Sequence, residues 1–190
     1  MRETLPSKSV IFLHWKDWLD QNGLDWGEPS CWACEYGFNG KYDVNNHKAS
    51  IEDICKAWNK SPLQRCHIIP KSLGGSNEPA NLFLMCSECH DLAPNTTFPD
   101  LFMRWVSKQN YFVRRAKEVQ ELMETFDFKV THEEAAEFHQ TLVSKDYLKW
   151  FMENSGLHWN QRGLGNKVTT STHVGLYCKY LEMKKGKNDT

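Results

Sequence analysis

Four cysteines occur as two pairs of the same spacing, Cys31-x-x-Cys34 and Cys86-x-x-Cys89. Together they supply four thiolates, which suit the tetrahedral coordination of zinc and fill its shell, so that no position is left for chemistry. The alternative is that these are ordinary core cysteines, but a second pair of matching spacing favours a metal. We therefore predict a structural zinc ion that joins the two pairs and contributes to folding.

Two histidines and an asparagine lie close to the second cysteine pair. His67 and Asn81 flank a loop that contains Gly-Gly, and His90 directly follows Cys89. Each alone has a plainer reading: a satisfied histidine, a turn asparagine, or an unused neighbour of the zinc. Their conjunction favours a site, because a zinc-held His90 is fixed against the strand that carries His67. Ligands and general bases act only when held within about 0.5 Å of their working geometry.

The combined pattern from Cys31 to about Pro94 resembles the HNH endonuclease family, in the zinc-knuckled form of its ββα-metal fold. The matching features are the cysteine pairs, His67-Ile-Ile-Pro, Gly-Gly, Asn81-Leu-Phe-Leu-Met-Cys and Cys89-His90. An insertion separates Cys34 from Arg65. The remainder of the chain shows no comparable motif.

The resemblance implies a role for each of three residues. His67 would be the general base that takes a proton from the attacking water, and Asn81 would hold the loop and orient His67 through hydrogen bonds to the backbone. His90 would bind one catalytic divalent ion, such as Mg²⁺ or Mn²⁺, beside a DNA phosphodiester. A neutral imidazole titrates at about pH 6.5 and can accept a proton, whereas a metal-bound one cannot, so the two histidines can take separate roles.

One residue departs from the family pattern. The position before the catalytic histidine is commonly Asp, or sometimes His, and helps to hold the ion; here it is Cys66. A thiolate is a poor ligand for magnesium but suits softer ions. Three readings follow: His90 binds the ion with an oxygen ligand such as Asp91 or Glu88, a softer metal is preferred, or activity is reduced. Cys66 could also be an inert neighbour packed under the strand.

The elements predicted around these residues form a short hairpin with helices on both sides. Gln64–Ile69 and Leu82–Met85 favour strands joined by the turn-rich loop KSLGGSNEPA, followed by a helical turn from His90 to Pro94. Further helices are predicted at Ser7–Gln21, at Ser50–Asn59, from Pro99 to about Phe126, from Thr131 to about Glu153, and at Thr172–Met183.

The expected fold class is therefore α+β and helix-rich, with a ββα-metal core stapled by a four-cysteine zinc site. We expect three parts: an N-terminal helical segment (1–30), an HNH module with zinc knuckles (31–97), and a C-terminal helical region (98–190). The last is a candidate for DNA binding or dimerisation.

The composition limits the partners of the protein. Its 190 residues include 23 Lys and Arg and 24 Asp and Glu, for a formal net charge of −1, so any contact with nucleic acid must come from local basic surface. No apolar run approaches the ~20 residues of a membrane helix, and the first residues lack a signal cleavage site. We expect a cytoplasmic protein with no membrane partner, in which seven cysteines favour metal binding over disulfides.

Basic residues after the predicted module are candidates for phosphate contacts. Charge on a helix is more often a solvated face, and flexible-loop composition also explains the residues beyond 156. The candidates are Arg104, Arg114, Arg115, Arg162 and Lys167.

These expectations together indicate a metal-dependent DNA endonuclease of the restriction or anti-phage type. A phage or mobile-element homing nuclease is the next biological setting. The rival from another class is a zinc-stapled nucleic-acid-binding module without catalysis, in which Cys66 marks a decayed metal site. Because cutting two strands takes two active sites, a homodimer is a candidate assembly.

Overall fold

A computed structural model describes residues 4–38, 49–129, 138, 140–157 and 168–188. The chain divides into two compact units, residues 1–111 and residues 112–190. The α-helices and strands of the described residues are α1 (Lys8–Gln21), α2 (Ile51–Lys60), β1 (Gln64–His67), β2 (Leu82–Met85), α3 (Ser87–Leu92), α4 (Pro99–Val106), α5 (Tyr111–Thr125), α6 (Lys145–Asn154) and α7 (Thr170–Asn188). This arrangement confirms the predicted α+β, helix-rich fold class. The predicted part boundaries after residues 30 and 97 stay predictions.

The two strands form an antiparallel hairpin that positions His67. Cys66 pairs with Phe83, and His67 pairs with Leu82 at the end of β1. All of β2 is buried, as its apolar sequence predicts, whereas β1 has Cys66 buried and its neighbours half-buried. Because successive side chains of a strand point to opposite faces, Arg65 and His67 share one face of β1 while Cys66 lies on the other.

An aromatic cluster around Phe83 fixes the hairpin within the first unit. Phe83 is fully buried. Its ring centroid lies 5.4, 5.3, 5.0 and 5.7 Å from those of Trp15, Trp18, Trp32 and Phe102. These edge-to-face contacts stabilise the packing beyond simple burial, and they tie helices α1 and α4 to β2.

The first two helices begin at the caps that the sequence indicates. The side chain of Ser7 accepts a hydrogen bond from the Val10 amide, and the side chain of Ser50 accepts one from the Asp53 amide. Each bond satisfies an amide that has no partner within its helix. The α1 helix ends before Gly23, which has a φ of 70°.

The single helix predicted from Pro99 to about Phe126 is wrong. Two helices, α4 and α5, occupy this segment and are separated by residues 107–110. The side chains of Ser107 and Gln109 donate hydrogen bonds to carbonyls in the last turn of α4. Such side-chain bonds compete with helix propagation. The amide of Tyr111 donates to the Cys34 carbonyl at 3.0 Å, so the chain restarts as α5 from a tertiary contact.

The helix predicted from Thr131 to about Glu153 is also interrupted. Ser144 is not helical, and its side chain caps α6 by accepting a hydrogen bond from the Tyr147 amide at 3.2 Å. The predicted start of this helix at Thr131 lies outside the described residues. The last helix, α7, is longer at both ends than predicted.

Tyr147, Phe151 and Tyr177 form the buried core of the second unit. Within the described ranges, no helix combines the length and apolar character needed to cross a bilayer.

Candidate active site and metal centre

The two cysteine pairs come together in the first unit. The sulfur atoms of Cys31, Cys34, Cys86 and Cys89 all lie within 4.8 Å of one another, and the Cys34 and Cys86 sulfurs are 3.9 Å apart. A tetrahedral zinc with bonds of ~2.3 Å requires sulfur–sulfur edges of ~3.8 Å. The four cysteines can therefore hold a metal ion such as zinc.

The first pair lies in a tight turn that is attached to the sheet. The Cys31 carbonyl accepts a hydrogen bond from the Glu35 amide at 2.8 Å, and Glu35 has a φ of 63°. Between the two cysteines, the Trp32 amide donates to the Leu84 carbonyl at 3.1 Å. This bond fixes the first pair against β2, whose end carries the second pair.

The second pair links the cysteine cluster directly to His90. The sulfur of Cys86 accepts a hydrogen bond from the Cys89 amide at 3.3 Å, so Cys86 caps α3 as well as facing the other sulfurs. The Cys86 carbonyl accepts a hydrogen bond from the His90 amide at 2.9 Å. A metal bound to these sulfurs would thus fix the first turn of the helix that carries His90.

The proximity of the four thiols perturbs their ionisation. Hydrogen bonds from Cys31, Cys34 and Cys89 lower the pKa of the Cys86 thiol. Hydrogen bonding to Cys34, Cys86 and Cys89 raises the pKa of Cys31. Neighbouring thiolates repel each other, so the cluster shares its protons unless a cation balances the charge. This behaviour suits a cation site.

His67 lies at the end of β1 with its imidazole half-buried. Its Nε2 atom is 3.1 Å from Oδ1 of Asn77, in the loop between the strands. An amide oxygen can only accept a hydrogen bond, so Nε2 is the donor in this contact, and in the neutral ring Nδ1 is then the acceptor. Asn77 is not among the residues predicted from the sequence. No sequence spacing links Asn77 to His67. The only signal in the sequence is that Asn77 belongs to the Gly-Gly-Ser-Asn turn of the loop that follows His67.

Asn81 closes the loop that follows His67. Its Oδ1 accepts a hydrogen bond from the Ile69 amide at 2.9 Å. Its Nδ2 donates to the carbonyls of Ile69 and Ser76 at 3.0 and 2.9 Å. These three bonds hold the chain immediately beyond His67.

The Gly-Gly sequence is required by the geometry of this loop. Gly74 has a φ of 90°, a conformation that side chains disfavour. A Cβ atom on Gly75 would lie 1.8 Å from the Ile69 carbonyl oxygen and 2.8 Å from Nδ2 of Asn81. Glycine thus allows the two sides of the loop to approach closely enough for Asn81 to join them.

His90 lies on α3, which packs against both strands. Its side chain is 37% exposed, and its Nδ1 atom lies 3.6 Å from Oδ1 of Asp91. The small ββα unit therefore carries both predicted histidines. An imidazole nitrogen beside a carboxylate oxygen is a donor set that suits divalent ions of hard or intermediate character.

Cys66 lies on the opposite face of β1 from His67. Its side chain is 5% exposed and belongs to the core of the first unit. Burial, and then the negative charge of Cys89, raise the pKa of the Cys66 thiol to about 11. These are the features of the inert, packed neighbour that the sequence left as an alternative.

The predicted DNA-binding residues differ in their surroundings. Arg104 forms an ion pair with Asp100 at 3.2 Å, and Arg115 forms one with Glu118. Arg114 has one buried guanidinium nitrogen. Two further candidates lie outside the described residues, Arg162 and Lys167.

The HNH endonuclease family model matches residues 53–104 of the chain. This segment contains both strands and α3, and with them His67, Asn81 and His90. No curated protein and no solved structure gives a significant match. Cys31 and Cys34 lie before the matched segment, and the fold brings them to the second cysteine pair. The match supports the assignment of residues 53–104 to the HNH endonuclease family.

Proposed function

We propose that this protein is a metal-dependent endonuclease that hydrolyses phosphodiester bonds in DNA. The observation that carries the proposal is the environment of His67, whose imidazole bonds to Asn77 beside a loop closed by Asn81, within a segment of the HNH endonuclease family. In this mechanism, Nδ1 of His67 takes a proton from the attacking water. Nε2 keeps its proton in the bond to Asn77, which holds the ring.

His90 is the proposed ligand of a catalytic divalent ion, either Mg²⁺ or Mn²⁺. When bound, such an ion neutralises charge on the scissile phosphate and stabilises the leaving oxygen. Asp91 is the proposed second ligand because its carboxylate oxygen is 3.6 Å from the His90 ring, and Glu88 is the alternative. Cys66 is the poorer candidate, since its thiol is buried and a sulfur ligand does not suit magnesium.

The ion proposed at the four cysteines is a structural Zn²⁺. Four sulfurs close the coordination shell, so no open position remains for a substrate. Its role is to join the turn at Cys31 to the start of α3. Loss of this ion would release His90 from the hairpin that carries His67.

The proposed biological role is restriction or anti-phage defence in the cytoplasm, with a homing nuclease as the second setting. Support comes from the helices that flank the nuclease segment on both sides, which offer surfaces for DNA and for a second copy. Arg104, Arg114 and Arg115 are proposed phosphate contacts, and a homodimer is the proposed assembly for cutting both strands. Arg162 and Lys167 are proposed as further phosphate contacts.

A second candidate function is a zinc-stapled nucleic-acid-binding module without catalysis. The observation that favours it is the buried Cys66, at a position where the family commonly has a metal ligand. Supercoiled plasmid incubated with the protein in Mg²⁺, Mn²⁺ or EDTA distinguishes the two functions, provided that zinc content is measured in every sample. Cutting in Mg²⁺ or Mn²⁺ supports the nuclease. Binding with intact plasmid under every metal supports the module.

A further inference from the structure

Two interacting cations, Arg65 and Lys8, lack a carboxylate partner among the described residues. Arg65 lies two residues before His67 on β1, so both side chains leave the same face of the strand. Lys8 is the first residue of α1. It lies close enough to Arg65 for the two charges to interact. Burial and the positive charge of Arg65 lower the pKa of Lys8. Neither side chain forms an ion pair with another residue that the structure describes.

Backbone carbonyls hold both cations in place. Nε of Arg65 donates to the Pro6 carbonyl at 2.8 Å, and Nζ of Lys8 donates to the Ser61 carbonyl. Both side chains are half-buried. Because Arg65 uses only Nε in this bond, its two terminal nitrogens keep donors for another acceptor.

This arrangement differs from an ordinary solvated charged surface. Two like charges that are close and partly desolvated repel each other, and no acid in the described part of the chain neutralises either one. An anion with several oxygens would relieve the repulsion and accept hydrogen bonds from both groups. A phosphate fits the planar guanidinium and the ammonium equally well.

We infer that Arg65 and Lys8 form a clamp for a DNA backbone phosphate close to the bond that is cut. The inference rests on the proposed function for its ligand, which is DNA. Two residues along an antiparallel strand span ~6.8 Å, which matches the rise of about two nucleotides along the axis of a DNA duplex, at ~3.4 Å per nucleotide of one strand. The clamp therefore grips a phosphate one or two nucleotides from the one that faces His67.

The salt dependence of DNA binding tests the clamp without any need for cleavage. The affinity for a fluorescent duplex is measured by anisotropy over a range of salt concentrations, with no divalent ion beyond the protein's own zinc. Each of Arg65→Gln and Lys8→Gln is expected to reduce the slope of log K against log [salt] by about 0.9, because one phosphate contact is lost. Arg65→Lys is expected to keep the slope.

The matched control is Lys56→Gln, since Lys56 is exposed on α2 and pairs with Asp53 at 3.1 Å. Its slope is expected to equal that of the wild type. Zinc content and circular dichroism establish that each variant is folded, and Arg65→Lys supplies a second folded variant if Arg65→Gln is not.

The clamp and the proposed function can fail separately. Unchanged slopes in Arg65→Gln and Lys8→Gln overturn the clamp even if the wild type cuts plasmid. Reduced slopes in a protein that never cuts support the clamp and contradict the nuclease. A wild type that does not bind the duplex at any salt concentration overturns the clamp, as does an Arg65→Lys variant with the slope of Arg65→Gln.

Discussion

The side-chain oxygen of Asn77 lies 3.1 Å from Nε2 of His67, although the two residues are ten positions apart in the sequence. The contact fixes which ring nitrogen carries the proton and therefore which one can act as a base. It also orients the ring at the end of β1. Asn77 is thus a positioning residue for the proposed general base.

Replacing Asn77 by alanine is expected to lower kcat by on the order of 10- to 100-fold, since loss of orientation carries a penalty of this size. Zinc content and DNA affinity should stay unchanged. Asn77→Asp provides a sharper test, because a carboxylate beside an imidazole favours the protonated ring and moves the acidic limb of the pH–rate profile to higher pH. Identical pH profiles for the wild type and Asn77→Asp would contradict the contact.

Asn81→Ala is expected to lower the free energy of unfolding by about 2 kcal/mol, because backbone groups of Ile69 and Ser76 lose their hydrogen-bond partners. Urea unfolding followed by tryptophan fluorescence measures the change. Asn22→Ala is the control, since its side chain bonds only to an exposed helix end. Equal unfolding midpoints for the two variants would show that Asn81 does not hold the loop.

The two adjacent glycines should respond differently to alanine. Gly74→Ala meets no atom within 4 Å and is strained only by its φ of 90°, at a cost of ~1 kcal/mol. Gly75→Ala must displace the Ile69 carbonyl and the Asn81 amide, so it should be the more destabilising of the two. Thermal unfolding of both variants makes the comparison, and the reverse order would be inconsistent with this loop geometry.

Removal of one ligand of the proposed zinc ion is expected to unfold the first unit. Cys89→Ser should purify without stoichiometric zinc and lose its near-ultraviolet circular dichroism, whereas Cys55→Ser should keep both. Because protons compete with the metal for thiolates, zinc should also be released from the wild type as the pH falls. Metal analysis by mass spectrometry measures each sample. Full zinc occupancy in Cys89→Ser would rule out the four-cysteine site.

The two cysteine pairs, the two strands and the helix caps are predictable because each depends on a short-range pattern. The spacing of Cys86 and Cys89 specifies a knuckle, and Ser50 precedes a helix that it caps. The apolar run at 82–85 predicts a strand buried on both faces. In each case the residues that determine the structure lie within a few positions of one another.

Other features depend on contacts that no local pattern encodes. The break between α4 and α5 is coupled to a hydrogen bond from Tyr111 to Cys34, which are far apart in the sequence. The contact between His67 and Asn77 depends on how the whole loop folds back under Asn81. Likewise, Lys8 in α1 is far from Arg65 in the sequence, and only the tertiary structure brings these two positive charges close enough to interact.

Cleavage of supercoiled plasmid by matched histidine variants tests the central claim most directly. Wild type, His67→Ala, His90→Ala and His14→Ala are compared in Mg²⁺ and Mn²⁺ at equal zinc content, with His14 as an exposed control on α1. We expect His67→Ala and His90→Ala to lose at least ~100-fold in rate, while His14→Ala cuts as the wild type does. Cutting by His67→Ala at the wild-type rate, or no cutting by the wild type with either metal, would contradict it.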